Sequence, residues 1–480
     1  MKVLFVASEL TPIAKVGGLG DVMEALPKAL AKLGVQTSVV IPRYGFIPKK
    51  NMKMVARGVP VPLAREREKV DLFETKIPGT RVKVFLVENA DYWTHAPEPY
   101  FEQTAFAGAE KEIQRFVFFS KAVCALIKAG YLKTDILHAN DWHAGALVSL
   151  INAGRKKNKT VKRFPKVVFT IHNLSNQGEW NAKEIDKWFF SGHEKKIFKN
   201  FDGEHNFIAE GILNADWVTT VSPTYAREIL TDRYGNGIDN ILRKKSNKVT
   251  GILNGIDYDF FNPAKDPFIA KRFTTHSVVS GKQENKAKLI TSLGLTRGDV
   301  PLFGLVSRLT DQKGIDFVVK ALHLFTGKHD ARFIILGRGS ADNEKALMAI
   351  AKEFPERVSV TIGFDEKLAH RIYAASDFFL MPSRFEPSGL GQMIAMRYGA
   401  VPIVRATGGL KDSVKHLKTG IVFHRESWKE LFSVIQLAVK FYVKQPNRFL
   451  KIQKNCLKEN FDFSMAAEKY LDLYKKVLRF

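Results

Sequence analysis

Cysteine is nearly absent. The chain of 480 residues has two, Cys124 and Cys456, far apart and outside any CxxC or Cys/His cluster. That usage argues against a disulfide framework and a thiolate metal site, and makes a reducing, cytoplasmic compartment the expectation (plastid stroma in a plant). Long apolar runs are missing too: none approaches the ~20 residues of a membrane helix. The N-terminal run Val3–Ala7 is short and followed by Glu9, unlike the apolar segment of a secretory signal. Acidic residues are few, 49 against 74 Lys and Arg, giving a formal net charge of +25. The basic excess is scattered, as at Lys156-Lys157, Lys195-Lys196 and Lys244-Lys245, and no nucleic-acid motif accompanies it. A solvated basic surface is therefore favoured over a polyanion site, and no nucleic-acid partner is expected. No repeat or low-complexity tract stands out, and 45% hydrophobic with 26% charged residues argues against long disorder.

What is present is an alternation of short β-rich runs with helical patterns. In the first half the predicted strands are Lys2–Ala7, Thr37–Ile41, Val82–Val87, Ile136–Ala139, Val167–Ile171, Trp217–Val221 and Lys248–Leu253. The second half repeats the rhythm with Leu302–Ser307, Arg332–Leu336, Val358–Ile362, Phe378–Met381 and Val401–Val404. Such alternation predicts an α/β fold of two doubly wound domains with parallel sheets, binding ligands at the carboxyl ends of their strands in a cleft between them. The expected division is 1–247, 248–455 and a final helical stretch, 456–480, packing back on the first domain.

The informative clusters follow predicted strands. Lys15-Val16-Gly17-Gly18-Leu19-Gly20-Asp21 turns from the first strand into a helix, where free backbone N–H groups and a lysine would suit an anion. Its glycines are not in dinucleotide GxGxxG spacing, and an ordinary strand–loop–helix corner accounts for it nearly as well. His138-Ala139-Asn140-Asp141-Trp142-His143 invites a metal reading, but alternate residues on a strand end point to opposite faces. Packing or capping roles, with Asp141 facing the cleft, fit better. His172-Asn173 follows another strand and is a candidate ligand-facing pair. Arg308 and Lys313 flank a strand-to-helix loop, where two cations could stabilise a departing diphosphate. Glu386, in Pro382–Gln392, could hold sugar hydroxyls or stabilise positive charge on a reacting carbon. Thr407-Gly408-Gly409-Leu410 forms a second glycine corner for phosphate oxygens.

Taken in order, these motifs resemble the bacterial glycogen synthases and plant starch synthases. The resemblance is carried by KVGGLGD at Lys15–Asp21, HANDWHAG at His138–Gly145, IHNLSNQG at Ile171–Gly178, TTVSPTYAREI at Thr219–Ile229 and GILNGID at Gly251–Asp257. It continues with SRLTDQKG at Ser307–Gly314, PSRFEPSGLGQ at Pro382–Gln392 and RATGGLKDSV at Arg405–Val414. It implies two facing Rossmann-like domains of the GT-B type and retaining transfer of glucose from a nucleoside diphosphate, ADP-glucose first, to the non-reducing end of an α-1,4-glucan. By the family pattern Lys15, Gly17, Gly18, Arg308 and Lys313 would hold the diphosphate, with Thr407, Gly408, Gly409 and Leu410 supplying backbone N–H groups. His172 would lie against the transferred glucose, Asp141 would orient the reacting groups, and Glu386 would contact the sugar and stabilise the cationic carbon. Asp21 and Asn173 are the acceptor-side candidates. No metal and no cofactor beyond the nucleotide sugar are implied.

The chain departs from the pattern at Tyr100–Gly108, at Glu112-Ile113-Gln114-Arg115-Phe116, at Ala209-Glu210 in the element that usually carries a lysine, and at Ser388 and Gly391. A transferase with another nucleotide or a smaller acceptor fits the same residues, as does a glucan-binding paralogue without turnover.

Overall fold

The computed structural model describes residues 1–479 apart from 65, 95–106, 158–163 and 193. The chain forms two units, Met1–Asn254 with Phe463–Phe480, and Gly255–Asp462.

In the first unit the strands run β1 (Lys2–Val6), β2 (Gln36–Pro42), β3 (Lys53–Pro62), β4 (Arg67–Lys76), β5 (Lys83–Glu88), β6 (Ile136–Asn140), β7 (Lys166–Ile171), β8 (Glu179–Asn181), β9 (Glu204–Asn206), β10 (Trp217–Thr220) and β11 (Val249–Gly251). Nine of them form one sheet in the order β11-β10-β7-β6-β1-β2-β5-β4-β3, while β8 and β9 pair separately. The central strands are parallel and nearly continuously apolar because helices cover both faces. Of the strands absent from the sequence-based expectation, β3 and β4 are the longest. They pair antiparallel at the sheet edge, and β3 alternates buried with exposed residues instead of forming an apolar run.

The second unit holds β12 (Leu302–Val306), β13 (Arg332–Gly337), β14 (Val358–Ile362), β15 (Phe378–Met381), β16 (Val401–Arg405) and β17 (Ile421–Phe423), all parallel, in the order β14-β13-β12-β15-β16-β17. Numbered within the unit, this is 3-2-1-4-5-6, the Rossmann order. Its strand order reverses between β12 and β15, and such folds bind ligands at the carboxyl ends flanking that point. The parallel strands of the first unit follow the same rule, with the switch between β1 and β6.

Two boundaries differ from the expected ones. β11 pairs in register with β10, Val218 opposite Val249, so the first sheet extends past residue 247 and its unit ends at Asn254. The division expected after residue 455 falls inside the helix Pro446–Lys458, and the segment grouped with the first unit starts at Phe463. That last helix, Phe463–Arg479, buries Ala466, Tyr470, Leu473, Tyr474 and Val477 at helical spacing and packs on the helix Gly18–Lys32. Burying each of the larger side chains contributes roughly 1.5–3 kcal/mol. Tyr474 also reaches the sheet, its hydroxyl 2.6 Å from Nδ1 of His138, whose Nε2 lies 2.5 Å from the Thr170 hydroxyl. Among the described residues no helix is long and apolar enough to cross a membrane.

Candidate active site

At the β12/β15 switch the chain leaves β12 through Ser307–Gly314 and β15 through Pro382–Leu390, so both loops emerge at one crevice edge. There Lys313 Nζ donates to both carboxylate oxygens of Glu386, at 2.8 and 2.6 Å, and Ser383 Oγ donates to Oε2 at 2.9 Å. Glu386 is 4% exposed, so the lysine and hydroxyl offset the cost of burying its charge. Arg308 is exposed, held by one bond from Nη2 to Gln312 Oε1 at 3.0 Å. The loops are tied together by the Arg384 N–H to the Gln312 carbonyl, by the fork of Arg384 on Asp316 at 2.6 and 2.7 Å, and by Arg405, which donates to the carbonyls of Ser383 and Arg384. A carboxylate pinned by Lys313, with Arg308 on the same loop as that lysine, can take sugar hydroxyls and a diphosphate.

The second glycine corner corrects the sequence reading. The N–H groups of Thr407, Gly409 and Leu410 are already used, donating to the carbonyls of Arg405, Glu386 and Thr407. Gly408 has φ of +43°, and a Cβ there would overlap the Glu386 carbonyl. The corner's close approach therefore holds the Glu386 backbone in place.

At the β1/β6 switch of the first unit, Asp141 follows β6 with φ of +54°, an uncommon conformation for a residue with a side chain and one that clusters at functional positions. Its Oδ1 accepts the backbone N–H groups of His172 at 2.7 Å and Asn173 at 3.4 Å. Burial nevertheless pushes its carboxyl up to about 7. His172 Nε2 lies 2.9 Å from Asn140 Oδ1, and packing of the ring holds the imidazole down at about 3, so it is neutral at physiological pH. Asn173 turns its own Oδ1 back onto Ser175.

The first glycine corner corrects the other anion expectation. The N–H groups of Val16 and Gly17 are not free: both donate to Glu9 Oε2, at 2.7 and 2.8 Å. Lys15 Nζ is on Asp21 Oδ1 at 2.7 Å, with the Thr11 hydroxyl on the same oxygen. Burial raises the Glu9 carboxyl above its ordinary value against the lowering pull of those two N–H groups. The helix beginning at Gly18 thus opens beside an internal carboxylate. Glu9 escaped the sequence reading because its tie to the corner is fixed by the turn after β1.

The histidines at 138 and 143 have packing roles: His138 is bonded within the sheet as above, and His143 is stacked on Trp142 at 4.1 Å. Among the described residues no group of three or more His, Cys, Asp or Glu is placed to hold a metal. The departure at Glu210 has a structural reason. Its buried carboxylate accepts from the Ser149 hydroxyl at 2.5 Å, the Lys199 N–H at 2.6 Å and Asn214 Nδ2 at 3.1 Å, joining three segments. Most of the departure at Tyr100–Gly108 lies outside the described residues.

The sequence profile of the starch synthase catalytic domain matches residues 2–244, and that of glycosyl transferases group 1 matches residues 293–455. Over its full length the chain is 39% identical to a glycogen synthase of Pseudothermotoga lettingae and 38% identical to one of Thermotoga maritima, covering 99% of each. Its structure matches the catalytic domain of starch synthase IV from Arabidopsis thaliana, determined with ADP and acarbose, at a TM-score of 0.90 and 30% identity over 100% of this chain and 99% of that one. A sucrose-phosphate synthase from Thermosynechococcus elongatus, 16% identical with a TM-score of 0.63, shares the fold. The chain is an α/β glycosyltransferase of the GT-B type and belongs to the glycogen synthase and starch synthase family.

Proposed function

We propose that the chain transfers glucose from ADP-glucose to the non-reducing end of an α-1,4-glucan with retention of configuration. The observation that carries this reading is the Glu386 carboxylate held by Lys313 and Ser383 at the switch point of a parallel sheet, in a chain alignable end to end with glycogen synthases. The ADP of the plant relative supports an adenine nucleotide as donor.

In this reading Arg308 and Lys313 take the diphosphate and stabilise the charge that grows on it as the bond from C1 to the phosphate oxygen breaks. Glu386 contacts the sugar and offsets positive charge on C1. The acceptor hydroxyl attacks C1 from the face the phosphate leaves, and its proton passes to the departing phosphate oxygen. One C–O bond forms as the other breaks, and ADP departs. His172 lies against the transferred glucose and Asp141 orients the reacting groups. The assignment of Lys15, Gly17 and Gly18 to the diphosphate carries a condition. Lys15 must leave Asp21, and the Val16 and Gly17 N–H groups must exchange Glu9 for a phosphate oxygen. Thr407–Leu410 is assigned to the donor through the loop it holds in place. Asp21 and Asn173 are assigned to the acceptor. A cytoplasmic location fits the two buried, unpaired thiols.

Incubation with glycogen and radiolabelled ADP-, UDP- or GDP-glucose tests the proposal. Label from ADP-glucose should enter glycogen as α-1,4 linkages. No incorporation from any donor, with glycogen still bound, would reduce the chain to a glucan-binding protein. The two cations supply the neutralisation a metal would otherwise bring, so chelation with EDTA should leave the rate unchanged. A rate restored only by added divalent ion would refute the metal-free reading.

A further inference from the structure

His172 and Asp141 are accounted for by the reading above, whereas Asn140, the last residue of β6, is not. It is fully buried where β6 ends beside β1. Its Nδ2 donates to two backbone carbonyls, Val6 on β1 at 3.2 Å and His138 on β6 at 3.0 Å. A carbonyl accepts only, so these two bonds fix which end of the amide is nitrogen. The other end, Oδ1, must then face His172 Nε2, at 2.9 Å. An amide oxygen also accepts only, so the ring proton must sit on Nε2 and the lone pair on Nδ1. Among the described residues no group bonds to His172 Nδ1, and the ring is half-buried. Asp141 holds the backbone N–H of the same histidine. Two consecutive residues therefore grip it at ring and main chain.

We propose that Asn140 is a positioning residue that sets the tautomer and ring orientation of His172, so that Nδ1 is presented as a hydrogen-bond acceptor for a sugar hydroxyl. The proposal rests on the reading that His172 lies against the transferred glucose. An acceptor-only nitrogen reads the hydroxyl hydrogen itself, and leaving a buried polar group unpaired is what lets such sites reject analogues that lack the partner. Among the described residues, the titratable groups near His172 are His138 on β6, His143 in the turn that follows, and Asp141.

The test has an arm that requires no altered residue at 140. Protein labelled with 15N-histidine, with the His172 signals assigned by their loss in His172→Gln, should show Nε2 protonated and Nδ1 bare across neutral pH. A proton on Nδ1 would overturn the proposal whatever the enzyme's activity. The kinetic arm uses two variants. Asn140→Leu removes the acceptor and should lower kcat on the order of 10²-fold while the KM for ADP-glucose stays within about threefold. Asn140→Asp keeps an acceptor for Nε2, gives up the two bonds to the Val6 and His138 carbonyls as Asn140→Leu does, and adds a negative charge that favours the imidazolium. Its activity should be poor at acidic pH and recover as pH rises, exceeding that of Asn140→Leu on the alkaline side. Losses equal for both variants and flat with pH would be those of a merely structural residue and would overturn it. The functional reading fails separately if His172→Ala transfers glucose at the unaltered rate.

Discussion

At the β1/β6 switch of the first unit, the carboxylates Glu9, Asp21 and Asp141 stand against one lysine, Lys15. At the β12/β15 switch of the second, one carboxylate, Glu386, stands between Lys313 and Ser383 with Arg308 on the same loop as Lys313. The folds are alike in strand order, and both corners carry glycines where a strand gives way to a helix. Their electrostatics are opposite. The first corner places the Val16 and Gly17 N–H groups on an internal carboxylate, and its remaining acids suit hydroxyl groups. The second suits an anion. A glycine corner in a Rossmann-like unit therefore says where a ligand can approach, and the charged side chains around it say which ligand.

The largest expected effect falls on Glu386. Glu386→Ala should lower kcat by about 10³-fold while ADP affinity changes little, because its proposed contacts strengthen as C1 becomes cationic. Stopped assays of kcat beside calorimetric titration with ADP check this, and equal losses in both would leave Glu386 a positioning role only. Next come Arg308→Ala and Lys313→Ala, each expected to cost about 10²-fold in rate. Lys313→Ala should also destabilise the protein, since it leaves a buried carboxylate unpaired. Gly408→Ala sharpens the comparison through geometry. A methyl group at φ of +43° against the Glu386 carbonyl should lower the melting temperature by several degrees, and activity should fall with the displaced loop.

The smallest effect belongs to the first unit and is one of pH. Asp141 is held at about 7, above its ordinary 3.8, so between those values the folded chain carries a proton that the unfolded chain has lost. Its contribution to stability is full below about 3.8 and is lost as pH rises towards about 7. Asp141→Asn should flatten that part of the melting-temperature profile, and a parallel profile would refute the assignment.

The parallel strands other than the short edge strand β17 were legible because burial on both faces leaves apolar runs, as in Val3–Val6 and Phe333–Leu336. The edge pair β3 and β4 was not, since half of its residues meet solvent. The site residues could be named from strand-end position and motif, but their partners could not. Lys313 and Glu386 are 73 residues apart, and Asn140 and His172 are 32 apart. The N–H groups expected to be free at Lys15–Gly18 and at Thr407–Leu410 are in part engaged, Val16 and Gly17 on Glu9 and Gly409 on the Glu386 carbonyl, for one reason. A sequence displays donors, but which acceptors the fold has already brought to them depends on Glu9 in one corner and the Glu386 backbone in the other.

The contrast between the two corners is tested most directly by ADP affinity measured calorimetrically for the Arg308→Ala/Lys313→Ala double variant beside Lys15→Ala. The account predicts a loss of about 10²-fold or more for the double variant and only a few-fold for Lys15→Ala, whose ammonium must first give up Asp21. An equal or larger loss for Lys15→Ala would contradict it and make the first corner the principal diphosphate site.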